Sequence, residues 1–327
     1  MLRYTIHEKQ QWRDKVSDII LHHYPESPFS EKIRLILGYK DLSYQSVTIP
    51  VIMPKPDLMP LTGGYRKTPV MQIGADIYCD TELIARVIDH LHPENSLYPK
   101  GEEASAGTLA QWSDTVLFSL AVSLAFQPKA MAANAMFQDQ QRAAEFAADR
   151  AELVKGGTQL AMPFEVANGQ FLAHIRRLDN QLADGRDFLL GDKPSIADFS
   201  TYHCIWFIHN NEEIRDIFSP FGNLSAWRMR MEDFGQGKPV ELSGEEALVI
   251  ASSSEPLTAE KQGGLNPDEI AIGEQVEVLP TDYGLNPVKG ALLVSSVEEI
   301  AIARTDERVG NLAVHFPRMG FQVRQCD

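Results

Sequence analysis

Cysteine is scarce: Cys79, Cys204 and Cys326 are the only three in 327 residues, and they lie far apart. That excludes a disulfide framework, and no paired Cys/His spacing marks a zinc site, so a reducing compartment is expected. Long apolar runs are also missing. No segment offers the roughly 18 uninterrupted apolar residues of a membrane span. The opening MLRYTIHEKQQWRDKVSD lacks the apolar stretch of a secretory signal. A cytoplasmic protein without membrane contact is therefore expected. Basic residues are in deficit, 30 against 45 acidic, for a formal charge of -15. The deficit is steepest after residue 239, where six basic side chains face 15 acidic ones. A field of that sign repels phosphate backbones and anionic lipid, which speaks against nucleic acid as a partner. No repeat period or low-complexity tract is evident.

The length is enough for two or three domains, and 44% hydrophobic with 23% charged residues is a globular balance rather than a disordered one. After a polar leader, Asp18-Ile19-Ile20-Leu21-His22-His23-Tyr24 reads as a short buried strand stopped by Pro25. A helix follows from Ser27-Pro28, with Phe29, Ile33, Ile36 and Leu37 at helical spacing and Pro28 suited to the first turn. Ser43 to Ile49 alternates like a strand and leads into a loop holding Pro50, Pro54, Pro56 and Pro60. Thr68 to Ile73 and Ile77 to Cys79, joined by Gly74-Ala75-Asp76, read as a β-hairpin, and a helix runs from about Thr81 to His90. From about Glu102 to Asp184 the pattern is helical, broken at Pro128, Gly156-Gly157 and Pro163. A further helix opens at Ser195-Ile196-Ala197-Asp198, whose S-x-x-D form is a capping box. Beyond Gly235-Gln236-Gly237 the texture changes to short strands separated by Gly and Pro, at 275–279, 290–294, 299–303 and 312–316. Their spacing predicts a small all-β module, a small barrel or curled sheet, for which an SH3-like barrel is the nearest pattern.

Four segments resemble the cytosolic glutathione transferase family, in its order and spacing, over residues 18–235. Tyr24-Pro25-Glu26-Ser27-Pro28-Phe29-Ser30-Glu31-Lys32-Ile33-Arg34 resembles its first loop and helix. Lys67-Thr68-Pro69-Val70 resembles its G-K-V-P turn, and Asp80-Thr81 stands where the family usually has Glu-Ser. Phe188-Leu189-Leu190-Gly191-Asp192-Lys193-Pro194-Ser195-Ile196-Ala197-Asp198-Phe199 resembles its F-L-x-G-x-x-x-S-x-A-D signature. The resemblance implies a thioredoxin-like α/β domain over 1–97 and an all-helical domain over 98–237. The β-rich accessory module, 238–327, has no counterpart in the two-domain family. Homodimerisation is implied as well.

The resemblance further implies glutathione as co-substrate, with no metal and no redox cofactor. An unperturbed thiol has a pKa of about 8.5, so glutathione chemistry requires help in forming a thiolate. Ser27, before the helix opened by Pro28, can supply a hydroxyl beside a helix N-terminus; Ser followed by Pro is equally what an N-cap and first-turn pair looks like. Ser30 is a second, lesser candidate. The resemblance predicts a cis Thr68–Pro69 bond that turns the Thr68 backbone towards the cysteinyl part of the ligand; an ordinary strand-opening proline is the alternative. Asp80-Thr81 can receive the γ-glutamyl end or simply open a helix. Lys67, with Arg66 beside it, is the natural cation for the glycyl carboxylate, or a solvated surface pair.

His22 and His23 face opposite ways on a strand and are expected to serve the buried sheet rather than a metal. Trp112 and Phe118 can line a pocket for an apolar co-substrate, but their helical spacing is the commoner mark of core, and they are not assigned to the site. Asp282-Tyr283-Gly284 and His315-Phe316-Pro317-Arg318 mix aromatic and polar residues in expected loops, where partner recognition and turn chemistry are both open, and no chemistry is assigned to them. Two functions are in view: conjugation of the glutathione thiolate to an apolar electrophile, or a non-catalytic scaffold acting through the acidic β module.

Overall fold

The computed structural model describes residues 19–132, 135–256 and 266–326; the polar leader and Asp18 lie outside the described residues. The first domain follows the expected order. It comprises β1 (Ile20–His23), α1 (Pro28–Tyr39), β2 (Ser43–Thr48), a short α2 (Met59–Thr62), β3 (Val70–Ile73), β4 (Asp76–Cys79) and α3 (Thr81–Leu91). β1 runs parallel to β2 and antiparallel to β3, and β3 turns into β4 as the predicted hairpin. Each histidine of β1 finds a partner inside the sheet through Nε2. His22 Nε2 meets Gln72 Oε1 at 2.8 Å, and His23 Nε2 meets Ser46 Oγ at 2.8 Å. Burial pushes both imidazoles down to about 4, so they remain neutral.

The helical domain contains α4 (Glu103–Trp112), α5 (Phe118–Ala125), α6 (Pro128–Ala132), α7 (Ala135–Gln138), α8 (Gln140–Val154), α9 (Phe164–Gln181), α10 (Ile196–His209) and α11 (Gly222–Glu232). A π-helical turn at Ser113–Leu117 joins α4 to α5. The capping box at α10 forms and does more than cap. One Asp198 oxygen accepts from the Ser195 N–H at 2.9 Å and the Ser195 hydroxyl at 3.0 Å. The other accepts from the Leu189 N–H at 2.8 Å and Trp227 Nε1 at 3.0 Å. With four donors on a buried carboxylate, this signature motif is a structural knot that ties the loop before α10 to α11.

After Gly237 the chain returns to the first domain. β5 (Lys238–Glu241) adds in parallel to β2 at one sheet edge, and α12 (Gly244–Ser252) packs against β2 and β9. The remaining strands are β6 (Gln275–Pro280), β7 (Val288–Ser295), β8 (Glu299–Asp306), β9 (Gly310–Pro317) and β10 (Phe321–Gln325). The β-rich module is thus present, with β10-β6-β7-β8-β9 as successive neighbours, and it is joined to the first domain's sheet. β9 pairs in parallel with β4, and one ten-stranded sheet results, in the order β10-β6-β7-β8-β9-β4-β3-β1-β2-β5. The reason is edge satisfaction: β4 offers unpaired backbone groups, and a module strand takes them. His315 to Pro317, expected in a loop, continue strand β9 because Leu312, Val314 and Phe316 alternate into the core.

Alternation along β1 divides the interior in two. Ile19 and Leu21 face a core shared by α1, α3 and the helical domain. Ile20 faces a second core made with Ala247, Leu248 and Ala251 of α12 and with Val276, Ile302 and Val314 of the module. The module therefore covers the second face of the thioredoxin-like sheet.

Two buried ionic clusters tie these parts together. Between the first and helical domains, Lys32 Nζ on α1 lies 2.7 Å from Asp114 Oδ2 in the π-helical turn, and His203 Nε2 on α10 meets Asp114 Oδ1 at 2.9 Å. Burial alone would raise the Asp114 carboxyl, but Lys32 and His203 hold it below its usual value. Between sheet and module, His315 Nδ1 meets Glu299 Oε1 at 2.6 Å and Nε2 meets Asp76 Oδ1 at 3.1 Å, while Tyr78 stacks on the ring at 4.6 Å. Burial opposes protonation there, yet the hydrogen-bonded carboxylates raise the imidazole from 6.5 to about 9.

The two clusters give stability opposite pH dependences. A group whose folded pKa lies above its unfolded value stabilises fully below the unfolded value and loses that contribution as pH rises through the folded one. Wild-type protein is expected to lose about 2 to 3 kcal/mol of unfolding free energy from His315 between pH 6.5 and 9. His315→Gln should abolish that component in urea titrations. Asp114, depressed, stabilises above its unfolded pKa and loses this as pH falls through the carboxylate range. Lys32→Met, which strands the Asp114 charge, should lower the unfolding free energy at pH 7 by about 3 kcal/mol.

Candidate active site

A cavity of about 1330 Å³ opens between the three parts of the chain, and Ser27, Lys67, Thr68, Pro69, Asp80 and Thr81 all line it. Residues separated by more than fifty positions in the sequence are thereby brought to one wall.

Ser27 is the N-cap of α1: its Oγ accepts from the Ser30 N–H at 3.1 Å, and it is buried. An accepting hydroxyl retains its own hydrogen for donation, so capping leaves the Ser27 hydroxyl able to serve a ligand. The helix begins with Pro28, and its positive end faces the cavity floor. Ser30 is fully buried and is not among the cavity-lining residues. Tyr24, quoted in the first-loop motif but not singled out, lines the cavity, and its phenol faces Ser27 and Arg150. Burial raises its pKa, so it stands as a neutral hydroxyl.

The Thr68–Pro69 peptide is cis, as is Met53–Pro54. Beside it, Lys55 Nζ donates to Thr68 Oγ1 at 2.9 Å and to the Arg66 carbonyl at 3.2 Å. Burial, reinforced by Arg150 and Arg66, pushes the Lys55 ammonium down to about 7. Asp80 caps α3 with φ at 75° and accepts from the Glu82 N–H at 3.0 Å. Burial raises its carboxyl, with Lys67 pulling the other way. The Thr81 hydroxyl accepts from Lys32 Nζ at 3.2 Å, which turns its own hydrogen away from α1. Both Asp80 and Thr81 therefore open a helix and border the cavity at once.

Lys67 is engaged from an unforeseen direction. Its Nζ lies 2.6 Å from Asp282 Oδ1 and 3.9 Å from the centroid of the Tyr283 ring. Asp282 and Tyr283 come from the β6–β7 loop of the module. Arg66 is paired in turn with Asp149 on α8. The Tyr283 loop is pinned through its main chain: the Thr158 N–H donates to the Asp282 carbonyl at 2.7 Å, and the Gly284 N–H donates to the Leu153 carbonyl at 2.7 Å. Gly157 permits the approach, since a Cβ there would stand 2.3 Å from the Asp282 oxygen.

The far wall is apolar. Phe118, Phe126, Phe146, Trp206 and Phe207 line it, with the Arg150 guanidinium 4.7 Å from the Phe146 ring centroid. Phe118 lines the cavity and belongs to the core at once, whereas Trp112 packs edge-on against His174 at 4.8 Å. The arrangement combines a helix N-terminus, hydroxyls and exposed main chain on one side with an apolar lobe on the other. Such a site can hold a polar peptide thiol against a hydrophobic electrophile.

Comparison with known proteins gives the family. The family model described as glutathione S-transferase, N-terminal domain, matches residues 21–96, and that described as glutathione S-transferase, C-terminal domain, matches residues 139–230. Comparison with curated proteins gives no match. Among solved structures, a GST-like protein from Pseudomonas syringae is 40% identical with a TM-score of 0.80, over 95% of this chain and 100% of that one. That span extends into the accessory module. A glutathione S-transferase from Rhodospirillum rubrum F11 is 18% identical with a TM-score of 0.51, over 65% of this chain and 87% of that one. A Tau class enzyme from mango, Mangifera indica, is 16% identical with a TM-score of 0.50, over 66% and 89%. These two show the fold alone. Both domain models and a relative aligned end to end at 40% identity lead to one conclusion: the chain belongs to the glutathione S-transferase family.

Proposed function

We propose that this protein binds glutathione in the cavity and transfers its thiolate to an apolar electrophile. The observation that carries the proposal is the meeting of the α1 N-terminus, the Ser27 hydroxyl and the Thr68–Pro69 main chain at the polar end of one cavity whose other end is aromatic. In this reading the thiol proton leaves to solvent, and the sulfur stays ionised beside Ser27 and the helix N-terminus. The sulfur then forms the S–C bond while the electrophile releases its leaving group, or takes up a proton if the reaction is an addition. The Thr68 backbone pairs with the cysteinyl part, Asp80 and Thr81 with the γ-glutamyl part, and Lys67 faces the glycyl end. Glutathione is a co-substrate here, and the proposed chemistry calls for no resident cofactor. Action as a cytoplasmic homodimer belongs to the same proposal and rests on family membership.

A hydrogen bond to a charged group is worth about 1.5 to 3 kcal/mol. Ser27→Ala is therefore expected to lower kcat/KM by about tenfold to a hundredfold with a chlorodinitrobenzene as electrophile, and to raise the pKa of bound thiol seen in the ultraviolet thiolate band. Unchanged turnover and an unchanged thiol titration would remove Ser27 from the mechanism and leave Tyr24 as the hydroxyl to test.

A further inference from the structure

The accessory module lines part of the cavity with two of its loops. Asp282 and Tyr283 come from the β6–β7 loop, and Met319, Gly320 and Phe321 from the β9–β10 turn. The Thr281 N–H donates to the Gly320 carbonyl at 2.9 Å, which joins the two loops into one wall. Within that wall, Tyr283 stands between the other two parts of the chain. On one side its ring centroid lies 3.9 Å from Lys67 Nζ of the first domain. On the other, the main chain of Asp282 and Gly284 is bonded to Thr158 and Leu153, each at 2.7 Å. Gly284, with φ at 66°, is seated so closely that a Cβ would stand 3.2 Å from Leu153 Cδ1 and 3.3 Å from Lys67 Cε. The phenol of Tyr283 interacts electrostatically with Asp80 at the start of α3, Tyr24 in the first loop and Arg150 on α8.

These neighbours bracket the proposed tripeptide: Asp80 borders its γ-glutamyl part, Tyr24 faces Ser27 at the sulfur, and Lys67 faces the glycyl end. Resting on the glutathione reading above, we infer that Tyr283 is a substrate-contacting residue supplied by the accessory module, donating its phenolic hydrogen to a peptide carbonyl of the bound tripeptide. Burial raises the pKa of this phenol, so the hydroxyl keeps its hydrogen and has it to give. A peptide carbonyl that leaves water for the cavity needs such a donor. The Thr68 main chain serves the cysteinyl part from the first domain, and Tyr283 completes the site from the module. Lys67 holds the ring, and the hydroxyl is the part that meets the ligand. A tyrosine present only to cover Lys67 would need its ring but not its oxygen, and that difference can be measured.

The test is calorimetric binding of glutathione to the full wild-type chain and to Tyr283→Phe, which keeps the ring over Lys67 and removes only the hydroxyl. The variant is expected to bind glutathione about threefold to tenfold more weakly, the loss of one hydrogen bond between uncharged groups. In turnover with a chlorodinitrobenzene, KM for glutathione should rise by a similar factor, while kcat and the KM for the electrophile stay within about twofold. A folded variant whose affinity for glutathione stays within about 1.5-fold of wild type overturns the inference. Hydrogen exchange on the wild-type chain requires no variant: saturating glutathione should slow amide exchange about threefold or more across residues 281–286 as well as 67–71. Slowing at 67–71 alone overturns the inference and leaves the glutathione reading standing. No heat of binding and slowing in neither segment is the distinct outcome that removes the glutathione reading, and this inference with it.

Discussion

β4 would end the thioredoxin-like sheet with a row of unpaired backbone groups, and β9 takes that row in parallel register, Asp76 beside Ala313 and Tyr78 beside His315. Most other features of the molecule follow from this seam. It brings β6, β7, β8 and β10 into the same sheet and so lays their apolar faces beneath β1 and β3. It places His315 between Asp76 and Glu299, one carboxylate from each side of the boundary. It also sets the position of the β6–β7 loop, which arrives over Lys67. A module attached only by a linker would have no fixed distance to the cavity. One joined through backbone hydrogen bonds has its geometry fixed to within the tolerance of a strand pair.

Charge is handled in the same cross-boundary way. A buried ammonium or carboxylate is tolerated only when it is paired and hydrogen-bonded. Lys32 of the first domain finds Asp114 and, through it, His203 of the helical domain, while Lys67 finds Asp282 of the module. Neither cation is matched within its own domain by these contacts. Each part of the chain thus carries charges that only the assembled molecule neutralises, which favours assembly and also decides what charge remains for a ligand. At the Thr68 end Asp149 faces both Arg66 and Arg150, and at the start of α1 Glu31 pairs with Arg34.

Local chemistry made the first domain and the α10 cap legible in the sequence. The β3–β4 hairpin, the Ser27-Pro28 helix start and the Ser195-x-x-Asp198 box each depend on residues a few positions apart, and their periodicity or capping is written there. That six predicted residues would line one cavity was legible for a related reason, because each lies at an element boundary where the main chain is free to face a cavity. Partners at long range left no such trace. Nothing around Asp114 indicates that it will meet Lys32, 82 positions earlier, and nothing around Asp282 points to Lys67, 215 positions away. The strand spacing after residue 239 revealed that strands exist but not which edge they join, so the pairing of β9 with β4 could not be read from it. The aromatic lobe is a similar case: Phe118 at helical spacing cannot be told from core until the neighbouring helices leave a gap beside it.

Forming a thiolate in a molecule of charge -15 looks unfavourable, and distance decides the matter. At physiological ionic strength, exposed charges are largely screened beyond about 8 Å. Several of the module's acids are locally paired: Glu277 with Arg324, Asp268 with Arg318, and Glu245 with Arg308, which also meets Asp57 of the first domain. The first turn of α1 acts at hydrogen-bond range, where its N–H groups and partial positive charge are not screened by intervening water. A short-range positive end therefore outweighs a long-range negative field at the one point where a sulfur would sit. The excess acidity can then serve solubility and the matching of Lys67 without opposing ionisation at Ser27.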